Sequence, residues 1–83
     1  MEHKARTKDE NFMIHLYEQA SKAEDRQEPF DRYAIGVLAG LQPKAVDAIC
    51  SLLCRANFVK KINKNEIAIT EHGIALVVKL LSE

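Results

Sequence analysis

Several residue types that mark special classes of protein are scarce in this chain. Its 83 residues include only three glycines and two prolines and no tryptophan, whereas 47% of them are hydrophobic. This composition excludes disordered and low-complexity sequence and predicts one small globular domain with a single modest core. The two cysteines lie four residues apart in a predicted helix, so they form no disulfide framework and reduced thiols are expected.

Long apolar runs and catalytic motifs are absent as well. No stretch of about 18 apolar residues predicts a transmembrane helix, and the polar segment 1–6 lacks the apolar core of a signal peptide. We therefore expect a cytoplasmic protein without membrane contact, with residues 1–6 as a disordered tail and residues 7–83 as the folded domain. The sequence has no nucleophile elbow, no phosphate-binding glycine loop and no carboxylate pair at useful spacing. This argues against an enzyme and predicts no cofactor.

The charges are distributed unevenly, although the formal net charge is zero. Residues 1–31 carry five basic and eight acidic side chains, net −3, and residues 65–83 carry one basic and three acidic, net −2. Residues 32–64 carry six basic side chains against Asp47 alone, net +5. A basic block of this kind favours a surface that faces phosphate.

Capping residues and apolar spacing predict four helices and three strands. Thr7 and Glu10 have the spacing of a capping box, which opens the first helix. Asp31 is a good N-cap for the second helix, and Gly40 should end that helix in a left-handed turn. The predicted elements are, in order, helix 8–23, strand 29–30, helix 32–39, helix 43–57, strand 58–62, strand 67–70 and helix 71–83.

The segment from Tyr33 to Gly73 resembles the winged helix-turn-helix of transcription regulators. The resemblance lies in Ala34-Ile-Gly-Val-Leu-Ala-Gly-Leu-Gln-Pro-Lys-Ala-Val, then Ile49, Leu52-Leu53 and Asn57-Phe58-Val59. The closing Ile67-Ala-Ile-Thr-Glu-His-Gly is similar to the strand-into-helix segment that follows the wing in MarR-type and PadR-type regulators. The resemblance covers roughly residues 8–82. It implies an α+β winged helix that places the third helix in the DNA major groove and a two-stranded wing on the backbone.

The face of the third helix opposite its apolar stripe is the candidate DNA reader. Lys44 could meet a phosphate or a guanine edge, Ser51 could hydrogen-bond, and Arg55 could bind a phosphate. A carboxylate at Asp47 is repelled by phosphate unless it accepts from a cytosine amino group. The alternative is a solvated helix face on a winged helix that binds protein. The candidate residues on this face are Lys44, Asp47, Ala48, Ser51 and Arg55.

The wing contributes three lysines to the candidate interface, Lys60, Lys61 and Lys64. Strand alternation sends Lys60 and Lys61 to opposite faces, while Lys64 should lie at the tip, where a wing touches the minor groove or its phosphates. The alternative role for these lysines is protection of an exposed sheet edge. MarR-type wings are longer and usually carry an arginine that reaches the minor groove, and this segment has none.

The two cysteines and the last helix complete the candidate features. Cys50 and Cys54 could share a metal ion, but no further ligand motif accompanies them, so a core role for Cys50 is favoured and no metal site is predicted. In the last helix Leu76 and Leu80 form a second apolar stripe, for which a partner subunit or helix 1 of the same chain could provide cover. The stripe expected in the core consists of Ile74, Val77, Val78 and Leu81.

Two functions remain open at this point. The first is a small dimeric transcription regulator that binds double-stranded DNA through helix 43–57 and wing 58–70. The second is a winged-helix module that binds a protein partner through its third or last helix and does not bind DNA. The net +5 block favours the first function. The zero total charge, the face with Asp47 and Ala48, and the missing wing arginine favour the second.

Overall fold

The structure, a computed structural model, describes residues 6–82 and has an α+β architecture. Over this range four helices pack around a small antiparallel sheet of three strands. The elements are α1 (Lys8–Lys22), β1 (Phe30–Asp31), α2 (Arg32–Leu38), α3 (Pro43–Arg55), β2 (Val59–Lys61), β3 (Glu66–Ile69) and α4 (Glu71–Leu81). The predicted types and order of the elements are confirmed.

The helix α1 begins with the predicted capping box. The Thr7 hydroxyl accepts from the Glu10 backbone N–H at 3.2 Å, and the Thr7 N–H donates to the Glu10 carboxylate at 2.9 Å. Just before it, Arg6 Nη2 donates to the Leu80 carbonyl at 3.1 Å, which satisfies one of the last carbonyls of α4. Arg6 therefore does not belong to a free tail, while the rest of that prediction, residues 1–5, lies outside the described residues.

The connection between α2 and α3 is a four-residue turn built around Gly40. The Asp31 carboxylate caps α2, and Gly40 ends it with φ +72°, as predicted. The Leu41 N–H then donates to the Gly36 carbonyl at 2.8 Å, so the chain turns within two residues. Pro43 occupies the first turn of α3, where a backbone N–H has no partner within the helix, so the N–H that proline lacks costs no hydrogen bond. The axes of α2 and α3 are bent by 112° across this turn.

The helix α3 ends earlier than predicted. It stops at Arg55 because Asn57 has a left-handed conformation, with φ +64°. The Asn57 N–H donates to the Cys54 carbonyl at 3.1 Å, and the Phe58 N–H donates to the Leu53 carbonyl at 2.9 Å. These two bonds form a Schellman motif with asparagine at the position usually taken by glycine. The sharp reversal directs the chain straight into β2.

The three strands pair in the order β1-β3-β2, with β3 in the centre. Ile67 of β3 lies opposite Phe30 of β1 on one side and Lys61 of β2 on the other. The strands β2 and β3 are shorter or shifted relative to the predicted 58–62 and 67–70. One reason is that Thr70 leaves the sheet to cap α4, where its hydroxyl accepts from the Gly73 N–H at 3.0 Å.

The predicted core stripe of α4 is confirmed only in part, because Val77 is fully buried and Ile74 packs against the core but the other two residues do not. Leu80, expected on an uncovered stripe, is only 8% exposed, and Leu76 is partly buried against the core. Val78 and Leu81, expected in the core, are 49% and 50% exposed. The cause is that α4 packs on α1 and the sheet through Gly73, Val77 and Leu80. The chain therefore covers most of the surface that Leu76 and Leu80 were predicted to offer a partner.

The apolar side chains divide between one core and a few exposed positions. The fully buried residues with the largest side chains are Phe12, Met13, Leu16, Ile35, Ile67, Ile69, Val46, Val59, Val77 and Cys50. The large apolar residues that remain exposed are Val37, Leu38, Leu52, Ile62, Val78 and Leu81. Across residues 6–82 no single helix is long and apolar enough to cross a membrane. The helices α2 and α3 have the required length and apolar composition only when they are counted together, as a bent pair.

Candidate nucleic-acid interface

The outward face of α3 carries the polar residues that the sequence placed there. The buried stripe of the helix consists of Val46, Ile49, Cys50 and Leu53, as predicted. Because α3 turns by about 100° per residue, the side chains opposite this stripe point to solvent. All five candidate residues on this face are exposed, namely Lys44, Asp47, Ala48, Ser51 and Arg55.

An open groove of about 360 Å³ separates this helix from the β2–β3 hairpin. It brings Asp47, Ser51 and Arg55 of α3 together with Lys61 of β2, four of the candidate residues. The full lining is Arg32, Asp47, Cys50, Ser51, Cys54, Arg55, Lys61 and Ile67. The lining therefore includes three cationic side chains and one carboxylate, with a hydroxyl and two thiols between them.

The other candidate residues lie outside the groove. Lys61 pairs with Ile67 and shares the groove with it, whereas Lys60 pairs with Ala68. Neighbouring strand residues point to opposite faces of a sheet, so Lys60 lies on the side away from the groove. Lys64 is in the exposed loop between β2 and β3, where the Asn63 side chain accepts from the N–H groups of Asn65 and Glu66. Lys44 and Ala48 are on the exposed face of α3 without lining the groove.

Asp47 differs from its sequence-based interpretation as a free carboxylate. Its Oδ1 accepts from the Tyr33 hydroxyl at 2.6 Å and lies 3.8 Å from Arg32 Nη1. The hydrogen bond to the Asp47 carboxylate raises the pKa of Tyr33 above its usual value, because it stabilises the protonated phenol. One oxygen of Asp47 is thus engaged within the chain and a guanidinium lies beside it. Its repulsion of a nearby phosphate is weakened accordingly.

Arg32 is the residue that sequence analysis missed. It was counted in the basic block but given no role, because its neighbours are distant in sequence. Its Nη2 donates to the Lys64 carbonyl at 2.6 Å, and its backbone N–H donates to the Asn65 carbonyl at 3.0 Å. The same guanidinium lies over the Tyr33 ring, 5.7 Å from the ring centroid. The only local signal was a basic residue directly after the helix cap Asp31, which indicates no particular partner.

The two cysteines line the groove but differ in their surroundings. Cys50 is buried and Cys54 is exposed. Burial in the apolar core raises the pKa of the Cys50 thiol to about 11, because a thiolate is poorly solvated there. Within residues 6–82 no three His, Cys, Asp or Glu side chains are grouped closely enough to hold a metal ion.

Comparisons of the chain with models of protein families, with curated proteins and with solved structures give no match.

Proposed function

We propose that this chain is a winged helix-turn-helix domain and acts as a small DNA-binding transcription regulator. The helices α2 and α3 support the proposal because they are bent by 112° across a four-residue turn, within the range of about 90–120° for DNA-binding helix-turn-helix units. The β2–β3 hairpin follows α3 directly and is joined by β1 in one sheet. A hairpin in this position is the wing that the resemblance implies.

The observation that carries the functional proposal is the groove between α3 and the hairpin. A helix placed in the major groove and a hairpin placed over the next phosphates lie on either side of one DNA strand. In this chain Arg55 stands on the helix side of such a strand and Lys61 on the hairpin side. With 13 residues, α3 is about 20 Å long, and its diameter of about 10–12 Å with side chains fits a major groove about 12 Å wide.

The remaining residues take roles that follow from their positions. Lys44 lies in the first turn of α3, where side chains reach base edges or phosphates, and Ser51 is exposed farther along the same face. Ala48 offers only a methyl group, suited to contact with the methyl group of thymine. Lys64 in the hairpin loop binds phosphate near the minor groove. These assignments make the interface mainly a reader of the phosphate backbone, with modest sequence preference.

A homodimer, a cytoplasmic location and the absence of catalytic activity belong to the same proposal. Dimeric regulators read two half-sites about one helical turn apart, which doubles a small contact surface. Because Leu80 is covered by its own chain, the half-exposed Val78 and Leu81 are the residues of α4 that a second copy would bury. The homodimer stays a prediction.

The second candidate function is docking on a protein partner. It is favoured by three apolar side chains exposed on α2 and α3, namely Val37 at 75%, Leu38 at 50% and Leu52 at 56%. Val37 and Leu38 are neighbours at the end of α2, and Leu52 lies on α3. Exposed apolar groups of this kind mark protein contact surfaces when they are contiguous.

An equilibrium titration with duplex DNA separates the two functions. Fluorescence anisotropy of a labelled duplex of random sequence, at about 50 mM salt, detects backbone binding where phosphate contacts are strong. The proposal predicts saturable binding that weakens as salt is added. An unchanged anisotropy up to high micromolar protein would reject the regulator and favour the docking module.

A further inference from the structure

Among residues 6–82, Arg32 is the one side chain that joins α2 to both walls of the groove. Its Nη2 reaches the Lys64 carbonyl at 2.6 Å in the hairpin loop, and its Nη1 lies 3.8 Å from the Asp47 carboxylate on α3. Its own N–H donates to the Asn65 carbonyl at 3.0 Å. The side chain is only 15% exposed, although it carries a full charge.

We propose that Arg32 is a positioning residue that holds the tip of the β2–β3 hairpin at a fixed distance from α3, so that the basic residues of both elements meet one nucleic-acid backbone. The inference rests on the proposed function for its use, but the positioning itself is a property of the free protein. Arg32 does not need to contact DNA to fill this role.

The chemistry of arginine suits this link. A planar guanidinium presents several N–H groups in a fixed fork and can bind two acceptors at once, whereas the ammonium of lysine is a single point on a flexible stem. The Arg32 Nε is buried and has no hydrogen-bond partner among residues 6–82, so this position of the side chain leaves one donor unsatisfied. Charged groups are seldom buried unless they are paired, which makes the contacts to Asp47 and Lys64 the reason for its position.

Fixing the hairpin matters because it is short and its loop is exposed. The strand β2 has three residues and β3 has four, joined by the four-residue loop 62–65. A mobile hairpin would have to become ordered on binding, and the entropy lost would weaken any contact made by Lys61 and Lys64. A hairpin ordered in advance avoids this loss.

The first test uses the free protein and nitrogen-15 relaxation. Arg32→Met keeps an unbranched side chain of similar helix propensity and removes both side-chain contacts. We expect the backbone order parameters of residues 63–65 to fall from about 0.85 to about 0.6 or below, while those of α1 stay unchanged. Arg32→Lys is measured beside it in case the methionine variant does not fold, and should loosen the loop as well. A loop as ordered in a folded variant as in the wild type would overturn the inference.

The second test uses duplex DNA and separates positioning from charge. The double variant Arg32→Met with Asp47→Asn has the net charge of the wild type but lacks the link. If the hairpin contacts are lost, the slope of log K against log[salt] should become flatter by about 1.8, two contacts at about 0.9 each. A slope and affinity equal to those of the wild type would show that Arg32 acts only by balancing Asp47, which contradicts the inference. If the wild type fails to bind DNA, the proposed function falls and the relaxation result alone decides the positioning role.

Discussion

The orientation of α3 can be tested by truncating two adjacent leucines. Leu53 is 4% exposed and packs in the core, whereas Leu52 is 56% exposed on the flank of the same helix. Leu53→Ala removes three carbon atoms, worth roughly 2.4 kcal/mol at about 0.8 kcal/mol each. The cavity left behind raises the expected loss of unfolding free energy into the range of about 2–5 kcal/mol. Leu52→Ala should cost about 1 kcal/mol or less, because over half of that side chain is already in water.

Urea unfolding followed by circular dichroism measures both losses. The midpoint should fall markedly for Leu53→Ala and little for Leu52→Ala, with the slope m unchanged in each variant. The two variants share the residue type, the helix and the number of atoms removed, so the comparison reports burial alone. Equal losses would mean that α3 is rotated from the described position. The outward face with Ser51 and Arg55 would then be assigned wrongly.

Three further predictions concern single side chains. Gly73→Ala should lower the unfolding free energy by at least about 1–3 kcal/mol in the same urea assay, because the added methyl would overlap a backbone carbonyl. A thiol reagent at about pH 8 should modify Cys54 alone in the native protein and both thiols in urea, because Cys50 is buried with a pKa of about 11; two fast equivalents in the native state would contradict its burial. The pKa of Tyr33 is raised above 10.0, so the hydrogen bond from Tyr33 to Asp47 stabilises the fold below pH 10.0, and this stabilisation is lost as pH rises through the raised pKa. In Asp47→Asn the pKa of Tyr33 should return toward 10.0, which a pH titration of tyrosinate absorbance measures.

Local chemistry predicted most of the fold. The capping box at Thr7, the cap at Asp31 and the left-handed turn at Gly40 depend on residues three or four positions apart, and all three are present. The buried stripe of α3 was predicted from spacing alone, since its opposite face is polar except for Ala48. The end of α3 was placed two residues too late, because asparagine is a less certain sign of a left-handed stop than glycine.

The errors arose where packing between distant segments decides the outcome. The helix α4 is apolar on several sides, so periodicity could not show which side faces α1, and Leu80 was assigned to the wrong one. The role of Arg32 depends on a hairpin loop 32 residues away, which no local pattern indicates. The candidate DNA-binding residues were each exposed as expected. The grouping of four of them into one groove, with Lys60 on the opposite face of the hairpin, required the sheet register.

The most direct test of the central claim compares two adjacent lysines on β2 by titrating duplex DNA over a series of salt concentrations. The proposed interface would meet phosphate with four cations, Lys44, Arg55, Lys61 and Lys64, so the slope of log K against log[salt] for one subunit should be no steeper than about −3.6. Lys61→Ala should flatten the slope by about 0.9, because Lys61 lines the groove. Lys60→Ala removes the same charge from the other face of the hairpin and should leave the slope nearly unchanged. Equal effects of the two variants, or no binding by the wild type at about 50 mM salt, would contradict a DNA-binding surface between α3 and the hairpin.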